Sequence, residues 1–180
     1  MLRDTPETFG TPSRLLHWLG ALVIAAAWTV GTIMSALPRG PSKAAGLDLH
    51  FALGSLVLTL TALRLIWRLF NPRPESPPGT PLWQDRAARW GHLALYALMI
   101  ALPLTGVLAA WLGGKTINLL WITALPSPWE RNRGLEKLLE EVHEVLANGM
   151  LILVAAHVAA ALWHHFLRRD GLLGRMLPLR

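Results

Sequence analysis

Apolar residues gather into four long runs, and clusters of polar residues, glycine and proline separate them. The first run, Leu15–Leu37, holds no charged residue, and the cluster Pro38, Gly40 and Pro41 ends it. The second extends from about Leu47 to Phe70; Arg64 and Arg68, one turn apart near its end, are placed to snorkel. Asn71 to Pro81 is too rich in proline to be helical throughout. The third run, about Asp85 to Gly113, has an uncharged core from Trp90, and Pro103 inside it predicts a kink. The fourth begins near Gly134 with an acidic turn (Glu136, Glu140, Glu141, Glu144) and ends at Arg168 and Arg169. About 20 apolar residues are enough for a helix to cross a bilayer. The pattern therefore predicts an all-α, integral membrane four-helix bundle, one domain over residues 1–180, with spans at about 14–37, 47–70, 86–113 and 135–168. Leu15–Leu37 is longer than the apolar core of a signal peptide and reads as a permanent span.

Composition narrows the chemistry. The 180 residues are 53% hydrophobic and 16% charged, more apolar surface in unbroken runs than a soluble chain of this length hides. There is no cysteine, so disulfides, thiolate-held clusters and thioether-attached haem are excluded. Neither a nucleotide-binding nor a metal-hydrolase motif is present, and no Asp or Glu lies deep in a span to carry protons or ions. The nine tryptophans fall mostly near span ends, where interfacial belts lie; Trp121 and Trp129 sit in the long connection Lys115–Arg133.

Charge sets the orientation. Arg3, Arg14, Arg64, Arg68, Arg73, Arg86, Arg89, Arg168, Arg169, Arg175 and Arg180 fall on the side of the two termini. Arg39, Lys43, Lys115, Arg131, Arg133 and Lys137 fall on the other. The whole formal excess of +6 lies on the first side, and the positive-inside rule makes that side cytoplasmic. The expected location is the bacterial inner (cytoplasmic) membrane, crossed several times, with both termini inside. The basic excess then concerns lipid and topology, not nucleic acid.

The histidines carry the candidate chemistry. From His143 to His157 is fourteen steps, about 1400° on a helix and roughly 40° short of four turns, so the two share a face about 21 Å apart. His164, seven steps on, continues the stripe to within about 20°. His165 lies about 100° off it and reads as a packed or interfacial residue. Neutral imidazole is a common ligand of haem iron, and two levels this far apart suit two b-type haems stacked across a bilayer. His50 and His143 both lie near the outer ends of their helices and form the natural outer pair. His17, His92, His157 and His164 lie toward the inner side. His17 with His157 is the preferred inner pair, although His17 is three residues from Arg14 and His157 eleven from Arg168. By that measure of depth His92 and His164 match His17 better, and His92 stands as an alternative ligand. Gly20, Gly54 and Gly149 offer room for a flat macrocycle between helices; close helix packing favours the same residues.

The segments RLLHWL (14–19), LHFALGSLVLTLTALRLIWRL (49–69), GHLALYALMIALPLTG (91–106), EVHEVLANGMLILVAAHVAAALWHHF (141–166) and the closing RRDGLLGRMLP resemble the bacterial cytochrome b561 family over nearly the whole chain. The resemblance implies a four-helix inner-membrane protein with two haem b. It implies His17 and His157 on the inner haem and His50 and His143 on the outer one, and so favours His157 over His164. It also implies electron exchange with the quinone pool. A member resembling this chain oxidises superoxide and reduces ubiquinone, and relatives serve as cytochrome subunits of hydrogenases. Two roles follow: a superoxide:ubiquinone oxidoreductase, or an electron carrier between a periplasmic dehydrogenase or hydrogenase and quinone. For the first, Arg39, Lys43, Lys115, Arg131 and Arg133 are candidates for an outer basic funnel, on a side whose formal charge sums to zero. For the second, the connection Gly113–Gly134 is the docking surface for a periplasmic redox partner. His164, Arg14, Arg64, Arg68 and Arg89 are candidates for a quinone site, the arginines competing with roles on haem propionates or lipid phosphate. A bundle without haem is the third reading, which an absorption spectrum separates from the other two.

Overall fold

A computed structural model of the chain describes residues 1–119 and 123–177. Four long helices account for most of it: α1 (Thr11–Ala36), α2 (Pro41–Leu69), α3 (Leu82–Leu112) and α4 (Arg133–Trp163). All four are long and apolar enough to cross a membrane. Their outward faces carry Leu22, Ile33, Leu63, Ile66, Val145 and Ile152, all exposed, as a bundle surrounded by lipid requires.

Every helix starts earlier than the apolar runs suggest, because polar residues and proline fit its first turns. Pro12 and Pro41 lie in the first turns of α1 and α2. Proline loses nothing there, because the first N–H groups of a helix have no partner anyway. The cluster at 38–41 thus ends one helix and starts the next. At the head of α4, the Asn132 side chain accepts from the Leu135 N–H at 3.1 Å. α3 runs through Pro103 as one helix and closes at Gly113 and Gly114, the latter at φ +72°.

The helices alternate in direction, so both termini lie at one end of the bundle, the terminal end. The opposite end carries a small antiparallel hairpin, β1 (Ile117–Leu119) with β2 (Thr123–Leu125), an addition to the expected all-helical fold. Ile117 is buried, and the Asn118 amide donates to Asp48 at 3.1 Å, tying β1 to the start of α2. Trp121 lies outside the described residues.

α1 packs along α2 and α3 along α4; α2 and α3 also touch, whereas α1 and α4 do not form a packed pair. The core is a central layer of Val57, Met99 and Met150, with Val23, Ile24, Tyr96 and Val154 against it. Met150 falls midway between His143 and His157, so this layer separates two levels of the bundle.

Candidate metal centres

At the hairpin end, His50 from α2 and His143 from α4 face each other with ring centres 6.0 Å apart and planes at 78°. All four helices build this site. His50 Nδ1 donates to the Ala27 carbonyl of α1 at 3.0 Å. His143 Nδ1 lies 3.0 Å from the Thr105 hydroxyl oxygen of α3. Gly31 and Gly106 back the two rings: a Cβ on Gly31 would sit 3.1 Å from His50 Cε1, and one on Gly106 3.3 Å from His143 Cε1. Both positions let a helix come close enough to hold an imidazole edge.

At the terminal end, His17 from α1 and His157 from α4 stand 6.2 Å apart, centre to centre, with planes at 62°. His92 from α3 comes within 5.5 Å of His157, edge to face. Arg64 of α2 is half-buried here, 5.5 Å over the Tyr96 ring, and near enough to the three histidines for its charge to act on them.

These spacings bear on what the pairs can hold. A metal–imidazole bond is about 2 Å and the ring centre lies about 1 Å beyond the nitrogen, so two imidazoles on opposite sides of one metal have centres about 6 Å apart. Both pairs meet that requirement. Among the described residues no cluster of three or more His, Cys, Asp or Glu converges on one point, so each pair offers two ligands. Two imidazoles are one complement that would hold a haem iron, whose other positions the macrocycle fills. Room for a flat group exists beside the rings. Gly20 and Gly54, about one turn beyond His17 and His50, have nothing within 4 Å of where a side chain would begin, although Gly20 is buried; the same holds at Gly149.

A sequence model described as "Prokaryotic cytochrome b561" matches residues 8–179. The chain belongs to the prokaryotic cytochrome b561 family. It is 33% identical over 166 residues to "Cytochrome b561 homolog 1" of Escherichia coli K12, covering 92% of this chain and 94% of that protein. "Cytochrome b561 homolog 2" of the same organism is 32% identical over 177 residues, 97% of this chain and 93% of that one. A Yersinia pestis protein named "Probable superoxide oxidase CybB" is 30% identical over 166 residues, 91% and 92% of the two chains. This chain is thus a bacterial membrane electron-transfer protein of a family that binds haem b.

In this cytochrome b561 the depth difference between His17 and His157 has a structural cause. α4 continues almost two turns past His157 before a single π turn, His164–Arg168, and Arg169 (φ 53°) turns the chain back. Arg14 is engaged within the terminal end. Its guanidinium binds Phe9 O at 2.8 Å, Thr8 Oγ1 at 3.0 Å and Leu177 O at 3.2 Å, tying the N-terminal segment to the tail. His164 turns away from His157 to the Asp170 carboxylate, and His165 is exposed.

The other predicted residues of this cytochrome separate. Arg68 is exposed, 5.9 Å over the Tyr96 ring, and Arg89 pairs with Asp85 at 2.7 Å. So of the five quinone candidates, Arg64 is the one whose charge acts on the terminal-end imidazoles, and His164 lies about two turns beyond His157. Among the basic residues at the hairpin end, Lys115 pairs with Glu136 at 3.4 Å and Glu140 at 3.5 Å, and Arg131 with Glu136 at 3.6 Å. Lys43 donates to Leu37 O, while Arg39 and Arg133 are exposed without an ion pair among the described residues. Sequence reasoning missed Ala27, Gly31, Thr105 and Gly106. The only signal was the pair Thr105-Gly106 following Pro103 in a span; which histidine it would face depends on helix packing.

Proposed function

We propose that this cytochrome holds two haem b groups and carries electrons from the outer side of the bacterial inner membrane to ubiquinone near the inner side. The carrying observation is the pair of imidazole pairs, 6.0 and 6.2 Å between ring centres, one on each side of the Met150 layer. In this reading His50 and His143 ligate the outer haem and His17 and His157 the inner one. The hairpin end is periplasmic and both termini are cytoplasmic, as the basic excess on the terminal side favours. Haem, when bound, supplies an iron that takes up and releases one electron at a time. The chain fixes the two imidazoles of each pair and excludes water from the layer between them.

The donor in this reading is superoxide, which the name given to the Yersinia relative supports. Two superoxide anions give up two electrons and leave as dioxygen; ubiquinone takes both, with two protons, and becomes the quinol. The protons come from the cytoplasmic side, where His164 and Asp170 form a polar pair beside the bundle. His164, Arg14, Arg64, Arg68 and Arg89 remain the candidates for the quinone site, and Arg64 is the one whose charge acts on the terminal-end imidazoles. The test is stopped-flow mixing of superoxide with the oxidised holoprotein. The expected result is reduction at the haem α-band followed by reoxidation with a soluble ubiquinone analogue. His164→Ala should keep both haems and slow only the reoxidation. Reduction no faster than the uncatalysed rate would remove superoxide as the donor.

One observation favours a second reading, a cytochrome subunit serving a periplasmic dehydrogenase or hydrogenase. Glu136 and Glu140 neutralise Lys115 and Arg131, which weakens a funnel for an anion. Next to them Trp129 is half exposed, edge-on to Trp111 with ring centres 5.7 Å apart, on a surface a protein can cover. Co-purification of a redox partner with the haem-loaded protein would establish this alternative.

A further inference from the structure

The two imidazole pairs are tied differently. Among the described residues, His50, His143 and His164 have hydrogen-bond partners at Nδ1, and His92 bonds the Ala88 backbone of its own helix. Both members of the hairpin-end pair are therefore held at Nδ1, and neither His17 nor His157 is. The direction of each bond follows from the partner. The Ala27 carbonyl can only accept, so His50 Nδ1 carries the hydrogen and Nε2 the free lone pair. Thr105 needs one more step. Its Oγ1 lies 2.9 Å from Leu102 O, which accepts the single hydroxyl hydrogen. The Thr105 oxygen, 3.0 Å from His143 Nδ1, then offers it a lone pair, and the Leu102 carbonyl, a second partner of the same ring, can only accept; both assign the hydrogen to His143 Nδ1. Both rings end in one tautomer, with Nε2 available as the ligand atom.

We propose that Thr105 is a positioning residue for the outer haem. Through His143, and together with the Ala27 carbonyl on His50, it gives that haem the more basic ligand pair and the lower reduction potential of the two. The inference rests on the di-haem reading above. A hydrogen bond donated from the far ring nitrogen raises the basicity of a ligating imidazole, and a more basic ligand favours the ferric state. Ligand identity is the same at both sites in this reading, two histidines each. Hydrogen bonding around the ligands and nearby charge are then the levers that remain. Charge acts in the same sense: the guanidinium of Arg64 stands at the terminal end, where a positive charge favours the reduced iron. Electrons delivered at the outer side then run downhill to the inner haem.

Potentiometric titration of the purified holoprotein at the α-band, with haem counted as pyridine haemochrome, tests this. Wild type should show two midpoints. In Thr105→Val, which keeps the shape and removes the acceptor oxygen, the lower midpoint should rise and the upper stay. Haem retention at that site should weaken by about 10- to 100-fold. Thr105→Ser should restore the wild-type values. His143→Ala should keep one haem, titrating at the upper midpoint. The inference is overturned if Thr105→Val moves neither midpoint or only the upper one. It also fails if Thr105→Ser behaves like Val, or if the haem left in His143→Ala titrates at the lower midpoint. A wild-type protein carrying one haem or none would overturn the di-haem reading itself, which separates the two failures.

Discussion

At the scale of single residues, the decisive quantity is the spacing of two imidazoles. His50 and His143 stand 6.0 Å apart, ring centre to ring centre, and His17 and His157 6.2 Å, close to the spacing two imidazoles on one metal require, although only one residue in each pair lies on the stripe of the last span. The expected outcome of substitution is loss of one haem at a time. His50→Ala or His143→Ala should halve the haem content and leave the inner haem; His17→Ala or His157→Ala should leave the outer one. Pyridine haemochrome analysis of the purified variants reads this directly. His92→Ala should keep both haems, since His157 already has His17 opposite it at 6.2 Å. Retention of two haems in His157→Ala would move the inner ligand to His92 or His164.

Elements decide how those residues meet. α4 carries one histidine of each pair, so its helical run from His143 to His157 fixes the distance between the levels. The chain after it closes the terminal end. Trp18 donates to Met176 O at 2.8 Å and Arg175 to Glu75 O at 2.6 Å, binding the tail to α1 and to the 71–81 connector. Asp170 anchors the turn that makes this closure. Burial works against its carboxylate, but hydrogen bonds from His164 and the Leu172 N–H, with Arg168 nearby, outweigh burial and hold the carboxyl below its usual range. A depressed folded value means that the ionised group stabilises the turn at every pH above about 3.9, its unfolded value, and that this support is lost as pH falls through the folded value. Amide exchange at Leu172, corrected for intrinsic rates, should therefore stay slow from neutral pH down to about pH 4 and quicken below it. In Asp170→Asn it should be fast already at neutral pH and lose that dependence.

For the whole molecule, the arrangement has a direction. The termini meet at one end and the hairpin closes the other, and the basic residues are divided unequally between them. A reporter that fluoresces only in the cytoplasm should be bright when fused after residue 180, and periplasmic alkaline phosphatase fused there should be inactive. The opposite pattern would invert the proposed path of the electrons. The hairpin end has a second consequence. A side chain at Gly113 would collide with the Glu136 carboxylate that Lys115 and Arg131 also engage, so the end of α3, the hairpin connection and the start of α4 form one linked unit. In the proposed orientation an electron donor would meet this unit as a single surface.

The sequence by itself determined the class of fold and the end of the bundle toward which each histidine lies, because both follow from quantities local to one helix. A run of about 20 apolar residues has only the bilayer to enter, and 100° per residue places His143 and His157 on one face wherever the helix lies. The family motif added the pairing. Relations between helices were beyond its reach. Residue counting from Arg14 and Arg168 misjudged the depth of His17 and His157, because Arg14 turns to the tail and α4 overruns His157 before it bends. The start of α2 at Pro41 was hidden because proline both stops helices and begins them. Gly31, Thr105 and Gly106 could not be assigned to His50 and His143, since nothing in one chain's order says which edge of α1 or α3 meets which ring. Only the packing of α1 on α2 and α3 on α4 decided that, and with it which of the two facing imidazole pairs is held by hydrogen bonds.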